Sequence, residues 1–132
     1  CLELACQRVE DRETFGKKLS QHQSIRENIA KSYAELEMAR LLVHKTCWHI
    51  DHHGVKPSIE LISATKISVP LMIQAIIDRC MQMHGAGGLT EDWCMAEQFN
   101  YARWCRQADG PDEVHQMALG KRIIQQYAEA SV

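Results

Sequence analysis

Residues 58–84, from Ser58 to His84, read SIELISATKISVPLMIQAIIDRCMQMH. Apolar residues recur there at steps of three and four, the period of an α-helix. Ile62, Ile67, Leu71, Ile73, Ile76, Ile77 and Met81 do not fit one narrow stripe. A helix apolar over so wide an arc belongs at the centre of a bundle or in an oligomer interface. Pro70 lies inside the pattern and is expected to kink it or break its hydrogen bonding locally. Gly54 and Pro57 precede the segment, and the turn Gly85-Ala86-Gly87-Gly88 stops it.

Outward from this segment, a second long helix is expected from about His22 to His52. Its apolar face carries Ile25, Ile29, Tyr33, Leu36, Ala39, the stem of Arg40, Val43, Cys47 and Ile50. Shorter helices are expected over about Leu2 to Arg12, Asp92 to Cys105, and Pro111 to Ala130. Gly16 punctuates the turn over residues 13–20. No alternating strand pattern persists, and there is no internal repeat or low-complexity segment. The pattern predicts an all-α, antiparallel four-helix bundle with two long helices.

At 132 residues and 45% hydrophobic content, the chain fits one domain with a real core. A net charge of -2 with scattered Lys and Arg gives no electrostatic case for nucleic acid. No run approaches the length expected of a membrane span. The six cysteines are dispersed, without a CxxC pair. They read as free, mostly buried thiols in a reducing compartment. No signal or transit peptide pattern is visible. Leu2, Ala5, Cys6 and Val9 already form a helical stripe with no cap before them. The chain is therefore expected to be a fragment of a longer protein, cut inside or just before a helix.

Four stretches carry candidate chemistry. In Arg106-Gln107-Ala108-Asp109-Gly110-Pro111-Asp112-Glu113-Val114-His115, one helical pattern stops and another starts. Pro111 suits the first helical position. Asp112 and Glu113 then face the positive end of the helix dipole. Asp109 falls at the helix N-terminus, either as a catalytic carboxylate or as a simple N-cap. His49 and His53 are spaced as metal ligands on one helix face. No HExxH accompanies them, and polar groups at a helix C-terminus explain them equally. In Arg12-Glu13-Thr14-Phe15-Gly16, the guanidinium suits a phosphate and Phe15 suits a flat ring. The alternative is an interhelical loop with Phe15 in the core. Gln82-Met83-His84-Gly85-Ala86-Gly87-Gly88 lets backbone approach a ligand closely, or is only a C-cap and loop. It does not follow a strand, which excludes a Rossmann site.

Taken in order, Arg-x-Thr-Phe-Gly, Gln-x-x-Gly and a carboxylate-Gly before the last helix resemble the C-terminal domain of the flavin-dependent acyl-CoA dehydrogenases. The likeness covers essentially the whole chain. The string Ala-Asp-Gly-Pro-Asp-Glu-Val-His is similar to the branch of family members 10 and 11, where Asp replaces the usual catalytic Glu. The resemblance implies FAD as cofactor, an acyl-CoA as substrate, and Asp109 as the base at C2. It implies that Arg12, Thr14, Phe15, Gln23, Gln82 and Gly85 contact the pyrophosphate and adenosine part of FAD from a neighbouring subunit. Pro111 and Glu113 stand where a Thr and a Gln commonly touch the flavin. Ala108 replaces a larger residue beside the substrate, next to the family's Gly110. Asn100 and Tyr101 replace the common Arg-Asp pair before Ala102 and Arg103. The resemblance further implies a homodimer or homotetramer packed through this domain, and electron-transfer flavoprotein or another acceptor. In branch members it also implies a larger chain and a link to 4-hydroxyacyl-CoA breakdown.

An intracellular location is expected: mitochondrial or peroxisomal in a eukaryote, cytoplasmic in a bacterium. Two other classes remain open. One is a bundle that only oligomerises or scaffolds, the other a metal-binding bundle.

Overall fold

The computed structural model describes residues 1–130. Five helices form: α1 (Leu2–Asp11), α2 (Gln23–His53), α3 (Ile59–His84), α4 (Met95–Cys105) and α5 (Asp112–Glu129). Short 3-10 turns cover Leu19–Gln21, Lys56–Ser58 and Gly85–Leu89. Between α1 and α2 lies a small antiparallel hairpin of β1 (Glu13–Thr14) and β2 (Lys17–Lys18), which periodicity missed. Two-residue strands are too short to show any alternation.

The all-α expectation holds, and α3 is its hub. Helices α1, α2, α4 and α5 all pack mainly on α3. This explains the wide apolar arc of residues 58–84. Side-chain bonds give the helix directions. Arg79 bonds Ser32 while Thr65 bonds Thr46, so α2 runs antiparallel to α3. Gln98 shares a groove with Ile73 and Ile77, whereas the Lys66 ammonium donates to the Cys105 carbonyl, so α4 is antiparallel too. Leu2 lies beside Ile73 and Ile76, and Cys6 is within electrostatic reach of Cys80, so α1 runs parallel to α3. The buried core comprises Ala5, Val9, Ile76, Ile77, Cys80, Met83, Met95 and Ala102, supplied by α1, α3 and α4.

Several expectations change. The fully buried residues of α2 are Ser32 and Thr46, while Tyr33 and Cys47 on the expected apolar face are exposed. Polar atoms can be buried there because each is hydrogen-bonded. Ser32 takes the Arg79 Nε–H, and Thr46 bonds the Leu42 carbonyl and the Thr65 hydroxyl. Helix α3 runs continuously through Pro70, so the one backbone bond lost with its N–H does not end the helix. Packing of neighbouring helices on both sides holds it across the missing N–H. Cys6, Cys47 and Cys94 are exposed and only Cys80 is buried, so the thiols are not mostly internal. Burial pushes the Cys80 thiol above its ordinary pKa. Finally, an 18-residue window within residues 56–89 reaches a mean hydropathy of 1.4, and the segment is long and apolar enough to cross a membrane, against expectation. In this fold that apolar surface serves the hub.

Candidate functional site

The turn between α4 and α5 is built by charge and backbone together. Arg106 Nε donates to Asp112 Oδ2 at 2.7 Å, and Arg106 Nη1 donates to Gln74 Oε1 at 3.1 Å. The Asp112 N–H returns to the Arg106 carbonyl at 3.2 Å. This closed loop makes Asp112 the first residue of α5, with Asp112 and Glu113 in the first turn as expected. Pro111 is therefore the N-cap, extended at ψ 159, and not the first helical residue. Asp109 lies two residues before that cap and makes no capping bond, so the N-cap reading of Asp109 fails.

Between these fixed points the chain must reverse within a few residues. Asp109 does so at φ 55 and Gly110 at φ 102. Asp is among the few side chains that tolerate the left-handed region. Asp109 is exposed and stands at the lip of an open groove of about 410 Å³. Lys66, Val69 and Pro70 of α3, Tyr101, Trp104 and Cys105 of α4, and Ala108 form the groove walls. The Tyr101 and Trp104 rings lie 5.4 Å apart. Pro111 and Glu113 are exposed on the α5 side of the turn.

The other candidate residues gather at the opposite end of α3. Arg12 caps α1 with its backbone and presents an exposed guanidinium, which has no partner among the described residues. Its carbonyl accepts the Leu19 N–H at 2.8 Å, closing the base of the hairpin. Thr14 pairs with Lys17 across a two-residue turn of Phe15 and Gly16, at φ 52 and φ 76. Two positive φ angles are what a type I′ hairpin turn requires. The Phe15 ring is 98% exposed, so its placement in the core is overturned. Gln23 is exposed at the start of α2 and bonds Glu27. The Gln82 carbonyl accepts the Gly85 N–H as α3 ends, with Gly85 at φ 63. Gly88 has a packing reason of its own: a Cβ there would lie 2.7 Å from the Met81 carbonyl.

Because α1 parallels α3 and α2 opposes it, Arg12, Gln23 and Gln82 share one end of the bundle. Pro70 in the Asp109 groove and Gln82 are separated by about 18 Å of helix. One chain therefore does not bring Asp109 and the Arg12 and Gln82 loops into a single reacting centre. The histidine cluster is otherwise engaged: His49 Nδ1 bonds the Ser58 hydroxyl, and His52 Nδ1 donates to the Trp48 carbonyl. No group of three or more His, Cys, Asp or Glu able to hold a metal occurs among the described residues.

Reading the sequence missed Arg106, Gln74 and His115 as parts of the Asp109 site. The Arg106 and Asp112 charges stand three residues either side of Asp109, which was a readable signal. The placement of Gln74, on another helix, was not.

Comparisons with known proteins agree with this architecture. The model of the acyl-CoA dehydrogenase C-terminal domain matches residues 1–124. The chain is 41% identical over 120 residues to acyl-CoA dehydrogenase family member 11 of Gallus gallus, covering 91% of this chain and 15% of that protein. It is 45% identical over 114 residues to family member 10 of Mus musculus, covering 86% of this chain and 11% of that protein. The fold matches a glutaryl-CoA dehydrogenase from Mycobacterium smegmatis in complex with FADH2, with a TM-score of 0.86 and 29% identity. That match covers 92% of this chain and 31% of the other. The chain thus spans a small part of the length of each protein it matches. The α3-centred fold, the order of its motifs and a match to residues 1–124 lead to one conclusion: the chain belongs to the acyl-CoA dehydrogenase C-terminal domain family.

Proposed function

We propose that this chain is the single helical C-terminal domain of a longer FAD-dependent acyl-CoA dehydrogenase, in which Asp109 takes the C2 proton of an acyl-CoA on the way to the 2-enoyl product. The observation that carries the reading is an exposed carboxylate at the lip of a partly apolar groove, in a chain of this family. A C2 proton is weakly acidic, so the base must be close, aligned and shielded from water. Val69, Pro70 and Trp104 provide an apolar wall against which an acyl chain excludes water. Ala108 leaves the groove wide, and Gly110 lets the thioester approach the backbone. Asp is shorter than Glu by one carbon–carbon bond, about 1.5 Å, so its backbone must be placed to compensate.

FAD, when bound, supplies the redox chemistry by accepting hydride from C3. The residues at the far end fit a dinucleotide. Arg12 offers an uncommitted guanidinium and Thr14 a hydroxyl. Phe15 offers a bare ring, and Gln23 and Gln82 offer amides beside the Gly85 turn. Their distance from Asp109 supports a division of labour in which they hold the pyrophosphate and adenosine of a neighbouring subunit's FAD. Pro111 has no N–H to donate and would border the flavin by packing, and Glu113 would meet it with its carboxyl oxygens. Exposed Met38, Leu41 and Trp48 on α2, and Met117 and Ile124 on α5, support a homodimer or homotetramer. Electron-transfer flavoprotein or another acceptor would reoxidise the enzyme.

The test uses the full-length, flavin-loaded protein. Asp109→Asn is expected to retain FAD and acyl-CoA binding and lose turnover. Near-normal turnover removes Asp109 as the base. Arg12→Ala is expected to lower the flavin content of the purified protein without unfolding it. The exposed apolar faces also suit a non-catalytic oligomerisation module. A full-length protein that takes up no FAD would favour that module.

A further inference from the structure

We infer that His115 is a positioning residue: it holds the Asp109 main chain in the left-handed conformation and so sets where the carboxylate stands. The inference rests on the reading of Asp109 as the base. An L-residue in this region is strained, and such a conformation persists only where its surroundings hold it. At Asp109 the holding contact is visible. His115 Nε2 lies 3.1 Å from the Asp109 carbonyl oxygen. A carbonyl only accepts, so Nε2 carries the proton. In the neutral ring Nδ1 is then the acceptor, and the Ser63 hydroxyl lies 3.4 Å from it. Ser63 is buried on α3, so the ring braces the turn against the hub helix.

Two further observations make this contact specific. Among the described residues, it is the one hydrogen bond made by the backbone of Asp109 or Gly110. A Cβ at Gly110 would also lie 3.1 Å from His115 Nε2, so the glycine leaves room for the ring. Arg106 and Asp112 fix the helix ends on either side of the turn. His115 fixes the peptide that carries the carboxylate. With a side chain one bond shorter than Glu, a small rotation of that peptide moves the base out of reach. A displacement of about 1 Å costs on the order of 100-fold in rate.

The experiment compares His115→Leu and His115→Gln in the full-length, flavin-loaded protein, with Asp109→Asn alongside. Leu fills space and donates nothing. Gln returns an N–H near the position of Nε2. His115→Leu is expected to lower kcat by about tenfold or more, with KM and flavin content within about twofold of the parent. His115→Gln is expected to recover most of kcat. A crystal structure of the Leu variant is expected to show Asp109 out of the positive-φ region, and that of the Gln variant back in it. An unchanged kcat in the Leu variant overturns the inference. So does a Gln variant as impaired as the Leu variant, or a Leu variant whose Asp109 keeps its conformation. If Asp109→Asn turns over normally, the base reading falls. The two crystal structures then judge the brace by themselves. Should the Leu variant fail to fold, His115→Asn, too short to reach the carbonyl, takes its place.

Discussion

Phe15-Gly16 and Asp109-Gly110 use one backbone solution at opposite ends of the hub helix. In each, a non-glycine residue at φ 52 or 55 precedes a glycine with positive φ. Their surroundings differ completely. The Asp109 turn is gripped by His115 and flanked by the Arg106–Asp112 pair and Gln74. The Phe15 turn is held by its own short hairpin, with the ring 98% exposed save for an edge approach to His22 at 6.5 Å between ring centroids, and nothing within 4 Å of a Cβ at Gly16. Asp tolerates the left-handed region, whereas a bulky ring there is a genuine outlier. A bulky residue at so exposed a tip gains little from this chain's own packing, and under the proposed function its benefit would come from the bound nucleotide that covers it. Under the proposed function, the gripped turn would orient a group for chemistry and the exposed turn would offer a surface for binding.

The largest expected effect tests the gripped end. Asp109→Asn should lower turnover by about 10²–10⁴-fold, the usual scale for a general base, with flavin content unchanged. Loss of flavin in that variant would erase the distinction between the two turns. Next comes the structural grip. Arg106→Leu leaves Asp112, 4% exposed, without its partner. Removing one member of a fully buried pair costs about 3–5 kcal/mol. The Arg106 side chain is 27% exposed, which reduces the expected cost to about 2 kcal/mol, read from urea unfolding of the full-length protein.

At the bare end the sign reverses. Phe15→Asn places Asn-Gly in the hairpin turn, the favoured type I′ pair, and should stabilise by about 1 kcal/mol. The same variant should bind FAD more weakly. A stability loss would show that the ring packs within this chain after all. The smallest effect concerns the ion pair beside the hairpin. A hydrogen bond from Lys18, at 2.6 Å, holds the Glu10 carboxyl below its ordinary value of 4.5. A lowered carboxylate pKa contributes stability above the unfolded value, and loses it as pH falls through the folded one. Any contribution is therefore fully present at neutral pH, and its loss falls below pH 4.5. The pair is exposed and screened, so Glu10→Gln should leave the thermal midpoint at neutral pH unchanged.

The two ends were unequally legible. Arg12, Phe15 and Gly16 could be found as a motif, but local sequence could not choose between a ring against a ligand and a ring in the core. A hairpin with two-residue strands then turned it outward. Asp109 could be found by its place before a helix, where local sequence left a catalytic carboxylate and an N-cap both open. The Arg106–Asp112 bond moved the cap to Pro111 and left Asp109 free of it. Ser32 and Thr46 lie outside the apolar face expected of α2, yet they are its buried residues. Their partners, Arg79 and Thr65, lie 47 and 19 residues away, beyond any local pattern.

The helices, their approximate ends and the order of the motifs were set by the chain alone, since helical period and Gly or Pro punctuation act over a few neighbouring residues. Only tertiary structure decided which face of α2 is buried, how Pro70 is tolerated and where the Asp109 carboxylate stands. Those outcomes depend on contacts such as His115 with Ser63, 52 residues apart. Hydrogen-bond partners at that range exist only after the helices have packed.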